Sequence, residues 1–249
     1  MHWIYLSPHF DDAALSCGGM IWEQTRSGET VEIWTICSGS PGDDPLPPFA
    51  ESLHSRWGTG TDAVEIRNTE DQEACRILNA SWHYFDILDC IYRRIPNTSQ
   101  PVILNEQDLF QPLKLEESYL LISLAKRLNQ AVKPDWNLVS PLGVGGHVDH
   151  RLTRAAAEAL THTLHYYIEY PYCREDNFKR DEWINSQWQK HSIQISEDGL
   201  SAWIRSIAAY KSQLSSFWDS KDAMSREIAT LWQMDSGYGS AWKPPGSTE

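Results

Sequence analysis

The first 37 residues constrain the fold most strongly, because strand-like and helical segments alternate within them. Residues 3–6 form a short apolar run of strand-forming side chains, and residues 31–37 form a second one. Between them, residues 13–24 have helical spacing, with an apolar face made of Leu15, Gly18, Gly19 and Trp22. A strand, a helix and a strand in this order are typical of a βαβ unit, so the sequence predicts an α/β fold with a parallel sheet.

The rest of the chain continues this alternation. We predict further helices at 63–78, at 114–132, after His150 to about 163, near 199–218 and near 221–233, and further strands at 82–85, 135–140 and 164–170. No repeat, low-complexity tract or linker interrupts the sequence, so we predict one domain over residues 1–249.

Two segments have no clear periodicity. Residues 38–62 are rich in turn-forming residues, which favours either a binding loop or lid, or simple disorder. Residues 86–114 are irregular as well. Trp57 lies in the first segment and is one of 12 tryptophans. A tryptophan ring can serve as a flat platform for a sugar ring or simply fill a core, and Trp57 is our candidate for stacking on a sugar.

The charge of the chain bears on its partners. Asp and Glu total 34 against 21 Lys and Arg, a formal net charge of -13. Such a chain repels phosphate backbones and anionic lipid headgroups, so we expect neither nucleic acid nor a membrane as partner. A neutral or cationic small metabolite is the better expectation.

The five cysteines bear on the compartment. Their number is odd and no CxxC pair occurs, which argues against a disulfide framework and against a cysteine zinc site. The first residues lack a basic stretch followed by an apolar one, so we expect no signal peptide. Both observations favour the reducing cytoplasm.

Two polar clusters, HFDD at 9–12 and HVDH at 147–150, follow predicted strands and precede predicted helices. Ligands of open α/β sheets bind beyond the carboxyl ends of the strands. The two clusters can therefore face each other across one site, although 138 residues separate His9 from His147.

The residue types in these clusters suit a catalytic metal. A catalytic zinc needs three protein ligands from His, Asp or Glu and keeps an open position. His9 and Asp12 are three residues apart, and His150 would complete a set of two histidines and one carboxylate. The alternative is structural, because such spacings often arise by chance and carboxylates are favoured at any helix start.

The neighbouring side chains suit acid–base chemistry. Asp11 would be free to accept a proton from an attacking water. His147 could face a forming oxyanion, with Asp149 holding one of its ring nitrogens.

The sequences SPHFDDAALSCGG and HVDH resemble the PIG-L/LmbE-like family of zinc-dependent de-N-acetylases, whose pattern is (A/S)-H-P-D-D-E followed by H-P-D-H. The resemblance extends to a helix with the pattern R-x₂-E…A…LG and to a late Y-x-S-Q segment, matched here by Arg67, Glu70, Ala74, Leu78 and residues 210–213. The chain departs from the family at Phe10, Ala13, Asn79 and Val148, none of which is a proposed ligand or catalytic group.

The resemblance implies a Rossmann-like three-layer fold with a mostly parallel sheet. It implies Zn²⁺ bound by His9, Asp12 and His150, although other divalent transition metals suit the same donors.

It also implies roles for the remaining side chains. Asp11 would be the general base, and His147 would stabilise the transition state or act as general acid with help from Asp149. Arg67 matches a position near bound substrate, or it forms an i,i+3 salt bridge with Glu70.

The expected function is hydrolysis of an N-acetyl or similar N-acyl group on an amino sugar or a sugar-containing small molecule. One alternative is a degenerate member that binds sugar or a partner without catalysis, and another is a zinc amidase of a different substrate class. A metallo-β-lactamase-like hydrolase would need a histidine at position 145, where this chain has Gly145.

Overall fold

The computed structural model describes residues 1–175 and 178–246, so residues 176–177 and 247–249 of the predicted domain lie outside the described part. The strands are β1 His2–Ser7, β2 Thr30–Thr35, β3 Ser81–Tyr84, β4 Asn137–Pro141, β5 Leu164–Tyr167, β6 Gln189–Gln194 and β7 Tyr238–Lys243. The helices are α1 Asp12–Arg26, α2 Pro48–Trp57, α3 Ala63–Ile77, α4 Ser118–Ala131, α5 Val148–Glu158, α6 Arg180–Trp183, α7 Glu197–Ala209, α8 Leu214–Phe217 and α9 Lys221–Met234.

The strands form one sheet in the order β3-β2-β1-β4-β5-β7-β6. Strands β1 to β5 are parallel, whereas β7 runs antiparallel to both of its neighbours. The predicted α/β fold with a mostly parallel sheet is confirmed. The strand order reverses between β1 and β4, which is the point where open α/β sheets bind their ligands.

The alternation of side chains along β1 divides the core into two. Ile4 and Leu6 pack on one face of the sheet against α4 and α5, whereas Trp3 and Tyr5 pack on the other face against α1, α3 and α7. The three layers of the expected fold arise from this two-sided burial, because a strand inside a parallel sheet is apolar on both faces.

Gly18 permits the close contact between α1 and α7. A Cβ atom at this position would come within 2.5 Å of the Trp203 ring, whose indole N–H donates to the carbonyl groups of Ala14 and Leu15. The glycine of the first motif therefore has a packing role.

The expectation of an irregular segment over 38–62 is wrong for its second half. Helix α2 occupies Pro48–Trp57, begins with a proline in its first turn and ends at Gly58, which is left-handed with φ 67°. Proline is favoured at the first helical position because its missing N–H has no partner there anyway. By contrast, residues 86–114 contain little regular structure, as predicted, apart from a 3₁₀ turn over Glu106–Phe110.

The C-terminal part differs more from the prediction. The single helix expected near 199–218 is two helices, because the chain turns sharply between Ala209 and Leu214. Strands β6 and β7 and the short helix α6 were not predicted. Strand β6 is mostly exposed and contains one aliphatic residue, Ile193, so it lacks the apolar alternation that would reveal a strand. No helix within the described ranges is long and apolar enough to span a membrane.

Candidate active site

The two polar clusters meet at the carboxyl ends of β1 and β4, which are neighbouring strands. In the first cluster, Ser7 Oγ donates to the carbonyl of His9 and accepts from the backbone N–H of Ala13, which folds the chain tightly into α1. In the second, Gly143 and Gly146 have positive φ angles of 80° and 73°, which turn the backbone before His147 caps α5. The predicted juxtaposition of the two clusters is therefore present.

Asp12 lies between His9 and His150. Its Oδ2 is 3.3 Å from His9 Nδ1, and its Oδ1 is 3.4 Å from His150 Nε2. Burial by itself raises the pKa of Asp12, but the charges of His150 and His9 hold it well below its usual range, so the carboxylate is ionised. The rings of His9, His147 and His150 also each place one nitrogen within 4.8 Å of the others. Such buried imidazole and carboxylate donors fit a divalent transition metal.

In both His9 and His150, the ring nitrogen that does not face Asp12 lies near another buried carboxylate. His9 Nε2 is 3.2 Å from Asp149 Oδ2, and His150 Nδ1 is 3.2 Å from Glu169 Oε1. Such partners fix the tautomer and orientation of metal-binding histidines. They leave His9 Nδ1 and His150 Nε2 as the nitrogens that face Asp12.

Glu169 is a site residue that the sequence analysis missed. It is fully buried, and its carboxylate also accepts from the backbone N–H groups of Leu142 and Gly143 at 3.1 and 2.6 Å. It therefore joins the turn before the second cluster to His150. An acidic residue just after a buried parallel strand was the signal that could have revealed it.

Asp149 contacts different groups from those expected. Its carboxylate binds Arg93 at 2.6 Å and the backbone N–H of Cys90 at 2.9 Å, in addition to His9. We expected the Asp149 carboxylate to hold a ring nitrogen of His147. In the structure the backbone N–H of Asp149 makes this contact instead, donating to His147 Nδ1 at 3.2 Å.

That backbone contact defines the state of His147. Because Nδ1 accepts a hydrogen bond, the proton of the neutral ring is on Nε2. Burial lowers the pKa of His147 well below its usual range, and the nearby His9 and His150 lower it further. His147 is therefore a neutral ring with one N–H available as a donor.

The Asp11 carboxylate lies beside Arg67 and lines the same cavity as His9, Asp12 and His150. Arg67 Nη2 is 3.7 Å from Asp11 Oδ1, and Arg67 Nη1 is 3.8 Å from Asp89 Oδ2. Burial raises the pKa of the Asp11 carboxyl above its ordinary value, although Arg67 opposes part of this effect. A buried carboxylate with a raised pKa beside a metal site is suited to take up a proton.

Arg67 and Trp57 occupy one wall of the site together. The Arg67 guanidinium lies 4.9 Å from the centroid of the Trp57 ring, a cation–π contact. The alternative considered for Arg67, a salt bridge with Glu70, is not the arrangement in the structure, because Glu70 instead accepts from the backbone N–H and the Oγ of Ser212. This contact holds the turn between α7 and α8.

Asp89 is the second site residue that the sequence analysis missed. Its side chain comes from the irregular segment 86–114, and its Oδ2 lies 3.7 Å from His9 Nε2. A single aspartate in an irregular stretch carries no sequence signal of its function.

The site opens into a cavity of about 250 Å³. All the predicted site residues except the fully buried Asp149 line it, and so do Asp89, Phe110 and Tyr172. A larger cavity of about 560 Å³ lies against α1, α9 and β7 and contains none of the predicted site residues.

Comparison with known proteins defines the class of the protein. Residues 4–161 match the PIG-L family, described as GlcNAc-PI de-N-acetylase. A 2'-N-acetylparomamine deacetylase from Niallia circulans is 32% identical over 200 residues, covering 72% of this chain and 71% of that protein. The chain belongs to the PIG-L family, and the expected class of enzyme, a deacetylase that uses a divalent metal such as Zn²⁺, is confirmed.

Solved structures share the fold. Teicoplanin deacetylase in a zinc-inhibited form superposes with a TM-score of 0.82 at 22% identity, covering 98% of this chain and 97% of that one. The deacetylase of the antimicrobial reagent A40926 pseudoaglycone has a TM-score of 0.71 at 24% identity, covering 97% and 96%. The expected Rossmann-like architecture of LmbE-like proteins is thereby confirmed.

Proposed function

We propose that this protein hydrolyses the N-acetyl, or a similar small N-acyl, group of an amino sugar or a sugar-containing small molecule, with N-acetylglucosamine derivatives as the first candidates. The observation that carries the proposal is the convergence of His9, Asp12 and His150 beside a carboxylate, Asp11, that is not engaged by them. The 2'-N-acetylparomamine deacetylase is a family relative whose name points to the same substrate class.

His9, Asp12 and His150 would hold the metal through Nδ1, the carboxylate and Nε2. When bound, a divalent metal supplies Lewis acidity, which polarises an acyl carbonyl and makes water more acidic. Asp149 and Glu169 keep the two rings oriented by accepting from their other nitrogens.

Asp11 would take one proton from the attacking water while the water oxygen forms a bond to the acyl carbon. His147 would donate its Nε2–H to the oxygen that gains negative charge. When the C–N bond breaks, the proton held by Asp11 would pass to the departing nitrogen, which leaves a free amine and a carboxylic acid that then ionises in water. Arg67 and Trp57 would contact the sugar from one wall of the cavity.

The chain as a whole suits a small cytoplasmic enzyme. We infer that residues 1–249 form one domain, because one continuous sheet joins the first and last strands. The five cysteines are free thiols, which supports the cytoplasm as its compartment. The net charge of -13 supports a partner that is neither nucleic acid nor a membrane.

The test is release of free amine from a panel of N-acetylated sugars, with the protein as purified, after chelation and after zinc is restored. We expect release from at least one amino sugar, loss with the chelator and recovery with zinc. Release that is insensitive to the chelator, or no release from any amino sugar, would refute the proposal.

A further inference from the structure

The mouth of the active-site cavity differs in character from its floor. The floor consists of buried ionisable groups, with Asp11, Asp12 and His150 at most 6% exposed. The mouth is surrounded by partly exposed apolar side chains, which we call the apolar collar: Phe49, Leu53, Trp57, Leu109, Phe110 and Phe217. Four of them, Phe49, Leu53, Trp57 and Leu109, also pack in part against a small core. Because small-molecule sites are lined mainly by apolar and aromatic side chains, the parts of the collar that line the cavity suit an apolar ligand group.

Three separate elements build this collar. Phe49, Leu53 and Trp57 are four residues apart on α2, so they lie on one face of that helix. Phe110 comes from the 3₁₀ turn, with its ring perpendicular to that of His147 at 6.1 Å between centroids. Phe217 comes from α8, which packs against α2.

Helix α2 is held firmly in this position. His54, whose ring stacks near that of Trp57, is buried and hydrogen-bonds through Nε2 to the Tyr92 hydroxyl at 2.7 Å and through Nδ1 to the Gly60 carbonyl at 2.6 Å. Ala50 is buried against Ile91 and Val148 of the cavity's supporting core. The collar therefore stands on a fixed helix.

The size of the cavity determines which part of a substrate reaches the collar. Sites for drug-sized ligands usually enclose about 300–1,000 Å³, and this cavity encloses about 250 Å³. A single amino-sugar ring with its acyl group would fill that space once the acyl group reaches the floor. A substituent on the sugar must then lie at the mouth, against the collar.

The charges at the mouth do not favour a polycationic substituent. Among the described residues that line the cavity, the charged side chains at the mouth are Arg56 and Glu106, which are exposed and opposite in sign. A substituent rich in ammonium or hydroxyl groups would lose water against the collar without gaining enough polar partners.

We propose that the preferred substrate is an N-acyl amino sugar that carries an apolar, preferably aromatic, aglycone, and that the apolar collar binds this aglycone. The inference rests on the proposed deacetylation, because that reaction requires the acyl group of the substrate to lie at the floor of the cavity and the aglycone at its mouth. It adds a specificity determinant, the face of α2 with Phe110 and Phe217, that acts on a part of the substrate remote from the reacting bond.

The test compares phenyl N-acetyl-β-glucosaminide, methyl N-acetyl-β-glucosaminide and N,N'-diacetylchitobiose as substrates of the zinc-loaded full chain. We expect kcat/KM for the phenyl glycoside to exceed that for the methyl glycoside at least ~10-fold, with the disaccharide close to the methyl glycoside. In the variant Leu53→Ala/Phe217→Ala, the ratio of phenyl to methyl should fall to about two. The matched control is Ile122→Ala, an exposed apolar residue of α4 at 67% exposure, which should leave the ratio unchanged.

Binding of the phenyl and methyl glycosides, measured by calorimetry with metal-free protein, separates the two proposals. Hydrolysis without a phenyl preference, or with the disaccharide preferred, would overturn the collar and leave the deacetylase proposal intact. Tighter binding of the phenyl glycoside that is lost in the double variant, without any hydrolysis, would support the collar and refute deacetylation. Equal binding and no hydrolysis would refute both.

Discussion

The substitution Glu169→Gln tests whether this buried carboxylate holds the site together. Its Oε1 accepts from Gly143 N–H and lies 3.2 Å from His150 Nδ1, whereas its Oε2 accepts from the N–H groups of Leu142 and Val144. Glutamine has nearly the same shape but replaces one oxygen with an NH₂ group. Whichever way the amide is turned, two of the four donors then face a donor.

An unpaired buried donor costs about 1–3 kcal/mol. Because the loop can relax in part, we expect the free energy of unfolding of the metal-free protein to fall by about 2–4 kcal/mol in urea denaturation. Loss of a carboxylate that orients a metal-binding histidine typically weakens metal affinity by about 10- to 100-fold. Competition with a chromophoric chelator measures that affinity directly.

A matched control is Glu73→Gln on α3, whose exposed side chain pairs with the exposed Arg76 at 3.3 Å. Surface pairs of this kind contribute at most about 1 kcal/mol, so this variant should unfold and bind zinc like the parent. Wild-type stability together with wild-type zinc affinity in Glu169→Gln would refute the role assigned to Glu169.

Three further predictions concern other parts of the molecule. His147→Ala should retain zinc but lower kcat about 100- to 1,000-fold, since one oxyanion donor is lost, whereas His150→Ala should lose zinc; metal analysis and amine release measure both. Burial, with the nearby charges of His191 and Lys243, lowers the pKa of His165 to about 4. In the unfolded chain the histidine pKa is ~6.5, so as the pH falls the unfolded chain binds this proton before the folded protein does. The neutral His165 therefore contributes about 3 kcal/mol to the free energy of unfolding above pH ~6.5, and this contribution is lost as the pH falls towards ~4. Urea denaturation at several pH values between ~4 and ~6.5 should show the free energy of unfolding rising more steeply with pH in the parent than in His165→Leu. Equal slopes in the two proteins would contradict the lowered pKa of His165. Glu70→Gln should destabilise the turn between α7 and α8 by about 1–2 kcal/mol through Ser212, and an unchanged midpoint in urea would exclude that contact.

The sequence predicted the part of the site that comes from regular structure. The βαβ unit and the two polar clusters at strand ends were sufficient to bring His9, Asp12 and His150 together, because adjacent parallel strands end at one edge of the sheet. Before the second cluster, Gly143 and Gly146 adopt positive φ angles and turn the backbone towards the site.

The remaining partners depend on contacts between distant segments. Nothing near Asp149 in the sequence shows that its carboxylate binds Arg93 and His9 while its backbone N–H binds His147. Asp89 reaches the site from an irregular segment whose path is determined by packing of Cys90, Ile91 and Val102 into a small core. Local periodicity carries no information about such contacts, which arise only when the chain folds.

The most direct test of the account is the metal content and amine release of Asp11→Asn. Asparagine keeps the size of the side chain but cannot take up the proton from water, and Asp11 is not one of the three proposed ligands. We predict about one zinc per chain, as in the parent, with kcat for release of amine from an N-acetylated amino sugar lowered at least ~100-fold. Wild-type turnover in zinc-loaded Asp11→Asn would contradict the central claim that Asp11 is the base of a metal-dependent deacetylase.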